Sequence, residues 1–286
     1  MATEHGLPPL VPGTLLLLTA ELDPDPGIVA FLESLLSPEE RDRVARLRLP
    51  HIRRRTLATR GWIRWVLGLA TASDPHRLIF RTRPRGKPFL QGGPAFNLAH
   101  TGDHLVLALA TEGEVGVDAE EPRSLPDLEA LARRVFTSTE RDELGALPPG
   151  PERTGAFLRG WTRKEALLKA MGVGLALSPR HFSVDLIGSE GQLLRWIDPD
   201  VNHTPDLDPG RELGPAAGEA EEGRRISGSR PWFLMDALVA APPGGAAAVA
   251  WDQQPRQVDV IRLPSDPSAL HGFGREGGPN GGGMVE

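Results

Sequence analysis

The sequence predicts a protein of mixed helices and strands, and three observations support this class. Residues 115–120 alternate apolar side chains with glycine or acidic residues, which is typical of a strand. Residues 157–171 carry apolar side chains at helical spacing and end at Gly172, where a helix cap is expected. Shorter apolar runs bounded by turn residues predict further strands around these helices.

In the first part of the chain, a strand is followed by two helices and then by further strands. Ser37 with Glu40 three residues later marks the start of a helix, because the two side chains can cap each other's backbone amides. The expected elements are a strand at 13–19, helices at 37–49 and 52–70, and strands at 77–83, 104–110 and 114–119. Residues 111–113, Thr-Glu-Gly, predict a hairpin between the last two strands.

The second part of the chain is predicted to have helices first and strands afterwards. The helices are expected at 126–135, 138–145 and 151–171, and the strands near 181–187, 192–197, 232–240 and 246–251. Residues 198–231 are rich in proline, glycine and acids without periodicity, which predicts a disordered insertion. The chain from 265 onward is glycine-rich, and we expect a flexible tail there.

Composition bounds the class of protein. The 286 residues include no cysteine, so disulfides and thiol chemistry are excluded, which suits the cytoplasm. The longest apolar run near the start, residues 15–18, is far too short to span a bilayer, and the residues before it lack the basic start of a signal peptide. We therefore expect a soluble cytoplasmic protein that does not contact a membrane.

Positive charge is concentrated in one part of an otherwise acidic chain. The net charge is −6, yet residues 41–87 contain 14 basic residues and only two acids, Asp42 and Asp74. Such a block binds anions. It has no zinc-finger spacing and no aromatic nucleic-acid motif, so a phosphate-rich small molecule is a better candidate than nucleic acid.

The strand at 115–120 presents two acids on one face. Side chains alternate along a strand, so Asp118 and Glu120 point the same way. Two carboxylates this close repel each other unless they are exposed, protonated or bridged by a cation. Magnesium favours this arrangement because it is often held by a few carboxylates together with substrate phosphates. The alternative is a solvated acidic strand end.

The helix at 157–171 carries an acid and a lysine on its apolar side. Glu165 falls on the stripe marked by Trp161 and Leu168, and Lys169 lies one turn later on the same side. An inward carboxylate is costly unless it is paired. A surface Glu–Lys pair is the alternative, but Lys164 adds a second cation beside a buried tryptophan, and this favours a functional site.

Three segments together resemble the signature of the surfactin-type 4′-phosphopantetheinyl transferases. They are residues 96–102 (Phe-Asn-Leu-Ala-His-Thr-Gly), 116–120 (Gly-Val-Asp-Ala-Glu) and 161–170 (Trp-Thr-Arg-Lys-Glu-Ala-Leu-Leu-Lys-Ala). The resemblance implies two similar α+β halves related by a pseudo-twofold axis, with the active site between them. We expect an N-terminal half at 1–110, a C-terminal half at 111–262 that contains the insertion, and a tail at 263–286.

The resemblance also implies the reaction: an enzyme of the holo-[acyl-carrier-protein] synthase type moves 4′-phosphopantetheine from coenzyme A to a carrier-protein serine. Acyl, polyketide or peptidyl carrier domains would be the partners of a monomeric enzyme. Asp118, Glu120 and Glu165 would bind Mg²⁺, with Glu165 and Lys169 as catalytic residues. The residues implied to bind the cofactor are Arg43, Arg83, Arg85, Gly86, Lys87, Ala99, His100 and Thr101. Ala99 departs from the family pattern, which has serine there.

Two other functions share these residues. A magnesium-dependent phosphohydrolase would use the same acids to activate water. A catalytically silent coenzyme-A-binding module is the second, although such a module has no need for an acid cluster. For His100 the alternative role is structural, as an imidazole that caps the turn at 101–102.

Overall fold

The computed structural model describes residues 7–8, 10–188, 232–237, 240, 244–253 and 255–265. These ranges contain nine strands, six α-helices and three short 3₁₀ helices. The strands are β1 (Thr14–Glu21), β2 (Phe80–Thr82), β3 (Pro88–Leu90), β4 (Ala95–Thr101), β5 (His104–Ala110), β6 (Val115–Glu120), β7 (Phe233–Asp236), β8 (Ala246–Trp251) and β9 (Gln257–Arg262). The α-helices are α1 (Pro26–Ser34), α2 (Pro38–Ala45), α3 (Pro50–Ala70), α4 (Leu128–Val135), α5 (Ser138–Ala146) and α6 (Pro151–Met171).

The first sheet has the strand order β4-β5-β1-β9. Strand β1 pairs antiparallel with β5 and parallel with β9. Its four consecutive leucines are all buried, because the sheet is covered on both faces. Leu16 and Leu18 pack with helices α1 and α3, whereas Leu15 and Leu17 pack toward the second sheet.

The second sheet has the order β6-β8-β7, with both pairs antiparallel. Helix α6 covers one face and packs with Phe136 and Phe182 in a second apolar core. The other face of the sheet meets the first sheet through Val117, Val249 and Trp251. The two sheets therefore share an apolar interface.

A similar order of elements occurs twice. A strand and a short helix lead each time to a helix that begins with a capping box and then to a 21-residue helix; strands β2 to β5 follow in the first case, and β7 and β8 follow in the second. A buried ion pair links the two helices each time: Arg64 bonds Glu40 at 2.5 Å, and Lys164 bonds Glu140 at 2.9 Å. The mixed α+β class is thus confirmed.

Two sequence predictions are wrong. Strands β5 and β6 exist but form no hairpin, because β5 lies between β4 and β1 while β6 pairs with β8 in the other sheet. Residues 181–187 form no strand; a 3₁₀ helix, Pro179–His181, precedes irregular chain. Backbone groups of this segment bond helix side chains instead, since Lys164 donates to the Phe182 carbonyl and Glu140 accepts from the Val184 amide.

The remaining predicted elements agree with the structure apart from their ends, but besides the 3₁₀ helices one α-helix and three strands were not predicted. These are α1, β3, β4 and β9. Strand β9 joins the first sheet although its residues fall in the segment assigned to the second half. The predicted strand at 192–197, the insertion at 198–231 and the tail beyond 265 lie outside the described residues. Within the described chain, no helix combines the length and apolar character needed to cross a membrane.

Candidate active site

Asp118 lies near the end of β6 and is almost fully buried. Lys169 of α6 donates to its Oδ1 at 2.7 Å and to the Val117 carbonyl at 3.1 Å. The other carboxylate oxygen, Oδ2, is buried and has no partner among the described residues. Burial raises the pKa of Asp118 to about 6, and the nearby carboxylates of Glu120 and Glu165 add to this shift while Lys169 opposes it.

Glu120 and Glu165 complete a group of three electrostatically coupled carboxylates. Glu120 accepts a bond from the Trp161 indole at 3.0 Å through one oxygen and is paired with Arg123 through the other. Glu165 is half-buried, and burial raises its pKa with a contribution from Glu120. Helix α6 and strand β6 thus bring together the acids and the lysine predicted from separate segments.

The carboxylates fit a divalent cation that is held partly by its substrate. In the part of the chain that the structure describes, no three histidine or acidic side chains form a ready-made metal site. Lys169 pairs with Oδ1 of Asp118, but the buried Oδ2 has no partner in the described chain, and a bound cation or a proton there would satisfy it. Magnesium takes few protein ligands and completes its shell with phosphate oxygens and water. Asp118, Glu120 and Glu165 are the residues available to it.

Gly116 controls the approach of α6 to β6. A Cβ at this position would lie 2.1 Å from the Ala166 carbonyl oxygen and 2.3 Å from the Ala170 nitrogen. Only glycine therefore permits this backbone contact. The contact places Lys169 within hydrogen-bond distance of Asp118.

Gly116→Ala is expected to destabilise the protein by about 1–3 kcal/mol, because the added methyl meets backbone rather than a movable side chain. The control is Gly155→Ala in α6, where a Cβ meets open space. It should be neutral or stabilising by up to about 1 kcal/mol, since alanine favours a helix interior. Urea unfolding of both variants measures the difference. Equal stabilities would show that α6 moves away from β6 without cost.

The raised pKa of Asp118 predicts a pH-dependent stability of the metal-free protein. The folded state holds this proton more tightly than the unfolded chain does. The contribution is therefore complete below about pH 4 and is lost as the pH rises through about 6. Asp118→Asn should be more stable than the parent at pH 7.5, by on the order of 1–3 kcal/mol, with little difference near pH 4. Unfolding midpoints across this range test it, and a less stable variant at pH 7.5 contradicts it.

A cleft of about 1150 Å³ lies in the first half of the chain, and neither the three acids nor Lys169 are among its lining residues. Helices α2 and α3 and the β2–β3 region line it, and His100 of β4 lies at its edge. It collects much of the basic block; its arginines are Arg43, Arg55, Arg60, Arg64, Arg77 and Arg81. Glu40 pairs with two of these arginines, Arg60 and Arg64. The arginines still outnumber the acids that line the cleft, so the cleft is predominantly positive.

His100 lines the cleft. Its Nε2 lies 3.0 Å from the Thr59 hydroxyl of α3, which differs from the alternative of a turn-capping imidazole. Partial desolvation and the positive charges of Arg55 and Lys169 lower its pKa. His100 lies on β4, and this strand contacts β6, which carries Asp118, through the bond from the Val117 amide to Asn97.

The other predicted cofactor residues occupy several environments. Arg43 and Gly86 line the cleft, and Arg85 is exposed. Arg83 pairs with Glu114 and lies over the ring of Phe89. That these residues bind coenzyme A stays a prediction. Thr59 and Arg55 were not predicted as cofactor residues, although Arg55 lies in the basic block.

Three predicted cofactor residues direct their side chains elsewhere. Lys87 donates to Glu114, to the Val115 carbonyl and to the Ala170 carbonyl, at 2.8–3.0 Å. Ala99 packs in the apolar interface between the sheets. The Thr101 hydroxyl accepts from the Glu121 amide at 2.7 Å. Side-chain contact of these residues with a cofactor would require these interactions to change.

Comparison with known proteins identifies the family of this chain. The sequence profile of the 4′-phosphopantetheinyl transferase superfamily matches residues 114–211, a range that contains the three acids and Lys169. The 4′-phosphopantetheinyl transferase Sfp of Bacillus subtilis is 30% identical over 196 residues, which are 66% of this chain and 84% of that protein. The chain belongs to the 4′-phosphopantetheinyl transferase family.

Two further relatives support this family. The 4′-phosphopantetheinyl transferase HetI of Nostoc sp. is 37% identical over 160 residues, covering 54% of this chain and 67% of that protein. A Synechocystis sp. relative is 37% identical over 156 residues, and the chain matches 63% of its length. The family resemblance carried by the three segments is confirmed.

Proposed function

We propose that this phosphopantetheinyl transferase family member moves 4′-phosphopantetheine from coenzyme A to a serine of a carrier-protein domain. The observation that supports this most directly is that one chain carries both an arginine-rich cleft and a buried carboxylate–lysine group. The cleft suits a nucleotide with several phosphates, and its lining residue His100 lies on β4, the strand that contacts the β6 strand of Asp118. Basic cleft and acidic group together suit phosphoryl transfer from a nucleotide.

The proposed step is a displacement at phosphorus. The carrier serine oxygen forms a bond to the phosphorus that carries pantetheine, and the bond from that phosphorus to the bridging oxygen breaks. The serine proton leaves with a base, and 3′,5′-ADP leaves with the bridging oxygen. Catalysis then consists mainly of positioning the groups in line and stabilising the developing charge.

Glu165 and Lys169 carry the chemistry in this proposal. Burial and Glu120 raise the pKa of Glu165, which makes its carboxylate a better acceptor for the serine proton. Lys169 uses two of its donors on Asp118 and the Val117 carbonyl, and a third can meet a phosphate oxygen. Asp118, Glu120 and Glu165 would bind magnesium. Bound there, magnesium would neutralise pyrophosphate charge.

The repeated order of elements supports two similar halves related by a pseudo-twofold axis, with the carboxylate group at their junction. Strand β6, which carries Asp118, follows directly after the first half, and β4 of that half lies beside it through the Asn97–Val117 bond. One chain then provides both halves. We propose a monomer acting in the cytoplasm, with halves at 1–110 and 111–262.

The test is a mass measurement of purified acyl and peptidyl carrier domains after incubation with coenzyme A and Mg²⁺. We expect each accepted carrier to gain one phosphopantetheine group at its serine, and a Ser→Ala carrier to gain none. Coenzyme A without a carrier is the second arm, because a phosphohydrolase would release phosphopantetheine there. Absence of modification on every carrier, with coenzyme A still bound, would favour the silent binding module instead.

Recognition of the nucleotide should distinguish His100 from Lys87. His100→Ala should weaken coenzyme A more than an analogue without the 3′-phosphate, since a charge-assisted contact contributes about 1.5–3 kcal/mol. Lys87→Ala should weaken both ligands alike, because the Lys87 ammonium holds protein groups. Calorimetric titration of both ligands tests this. If Lys87→Ala instead lost affinity only for the ligand that carries the 3′-phosphate, Lys87 would be identified as a contact of that phosphate.

A further inference from the structure

Side chains of β4 bond backbone amides of β6 at two levels. The Asn97 Oδ1 accepts from the Val117 amide at 2.9 Å, and the Thr101 Oγ1 accepts from the Glu121 amide at 2.7 Å. Each pair is separated by 20 positions in the sequence, so the two strands run alongside in constant register. These two bonds join the first sheet to the strand that carries Asp118.

The level between these two bonds is occupied by Ala99 and Ala119. Amide directions alternate along a strand, so the Ala119 amide points toward β4, as the amides of Val117 and Glu121 do. Strand β8 occupies the opposite edge of β6. At this level β4 offers the methyl of Ala99 instead of an oxygen. Both alanines are buried in the same apolar interface, at 3% and 2% exposure, so the amide is shielded from water.

We propose that Asn97 and Thr101 are positioning residues that hold β6 against β4, and that Ala99 leaves the middle bond of this series, to the Ala119 amide, unmade. The functional part rests on the proposed function. Ala119 lies between Asp118 and Glu120. An unbonded amide at Ala119 would therefore let the two carboxylates move relative to each other and to His100. A serine at position 99 would supply the missing acceptor.

The local chemistry supports a gain from that hydroxyl. A buried amide without an acceptor is unfavourable, and a serine Oγ at the level of Ala119 would meet it as Thr101 meets Glu121. The new bond from the Ala119 amide to the serine hydroxyl would leave the contacts of the two acids unchanged, because the side chains of Asp118 and Glu120 project to the other face of the strand.

Amide hydrogen exchange of the full metal-free chain tests the bonds without any reaction. In Ala99→Ser, exchange of the Ala119 amide should slow by about tenfold; in Thr101→Val, exchange of the Glu121 amide should quicken by a similar factor. The control is Thr14→Val. Thr14 is buried in β1, and its hydroxyl has no partner among the described residues, so this variant removes a hydroxyl without removing a bond.

Exchange rates in β6 should not change in the control, and Thr101→Ser should keep the parent rate at Glu121. An unchanged exchange rate of the Ala119 amide in folded Ala99→Ser would contradict the proposal that this amide has no acceptor in the parent. Equal exchange at Glu121 in Thr101→Val and Thr14→Val would overturn the role of Thr101. Because no reaction is needed, these outcomes stand even if carrier modification is never observed.

Transfer kinetics test the positioning role. Thr101→Val should lower kcat by about fivefold to tenfold with KM for coenzyme A unchanged, and Thr101→Ser should restore it. Ala99→Ser should raise kcat or the affinity for Mg²⁺, measured by calorimetry. A rise in KM alone for Thr101→Val would make Thr101 a cofactor contact and overturn the proposal. A kcat of Thr101→Val equal to that of Thr14→Val would also overturn the proposal.

Discussion

Glu165→Gln is expected to lower the rate of phosphopantetheine transfer on the order of 100-fold or more, with coenzyme A binding nearly unchanged. Glutamine keeps the shape and hydrogen bonding of glutamate but removes its charge and basicity. The acid is half-buried near Glu120 and Lys169, and burial raises its pKa, which makes its carboxylate a stronger base. Single-turnover rates at saturating coenzyme A and Mg²⁺ measure the chemical step alone.

Glu152→Gln is the matched control, because Glu152 is exposed in the first turn of the same helix. Its transfer rate should equal that of the parent. A magnesium titration of Glu165→Gln separates the two proposed roles. If excess Mg²⁺ restores the rate, Glu165 acts as a ligand; if it does not, Glu165 acts as the base. A near-normal rate at all concentrations would remove Glu165 from the mechanism.

Lys164→Met is expected to reduce the free energy of unfolding by about 3–5 kcal/mol, because it leaves the Glu140 carboxylate buried without its counter-charge. The Lys164 side chain is fully buried, and its ammonium also donates to the Pro179 and Phe182 carbonyls at 2.7 and 2.6 Å. Burial lowers its pKa to about 8, so the group is still charged at neutral pH. Urea unfolding at pH 7 measures the loss.

Two comparisons make this result specific. Arg54→Met breaks an exposed ion pair with Asp23 and should cost less than about 1 kcal/mol. The double variant Glu140→Gln/Lys164→Met should recover part of the lost stability, because the unpaired buried charge is removed. A small loss in Lys164→Met, similar to that of Arg54→Met, would mean that the pair contributes little and that Lys164 is available for another role.

The basic cleft and the acid group suggest how the molecule divides its work. Cationic side chains line the cleft formed by α2, α3 and the β2–β3 region, where Glu40 pairs with two of them, and the carboxylates lie on β6 and α6. The junction between β4 and β6 contains the bond from the Val117 amide to Asn97. Mutations at this junction should therefore affect the chemical step more than nucleotide binding.

Local patterns in the sequence were sufficient for several conclusions. The capping residue Ser37 begins helix α2 as predicted, and the helical spacing up to Gly172 corresponds to α6, which ends with Gly172 in the left-handed conformation. The alternation at 115–120 corresponds to β6. Such features depend on neighbours within a few positions, so they can be read without the fold. The three motif segments similarly sufficed to predict the family.

Strand pairing required the tertiary structure. The short segment at 111–113 is compatible with a hairpin, but β5 pairs with β4 before it and with the distant β1, while β6 pairs with the distant β8 in the other sheet. The parallel addition of β9 to β1 likewise joins residues more than 200 positions apart. Pairing depends on which surfaces remain to be buried after the helices pack, and local periodicity contains no such information.

For the site residues too, the sequence predicted some properties and the tertiary structure decided others. The sequence by itself determined that Asp118 and Glu120 share one face of a strand and that Glu165 and Lys169 share one side of a helix, because side-chain periodicity assigns them there. The family resemblance then related the two motifs to each other. Only the tertiary structure decided that Lys87 and Lys164 hold protein carbonyls and carboxylates, and that Ala99 faces the apolar interface. The physical reason is that a side chain's partner depends on which distant backbone comes within about 3 Å of it, and that distance is set by the packing of whole elements.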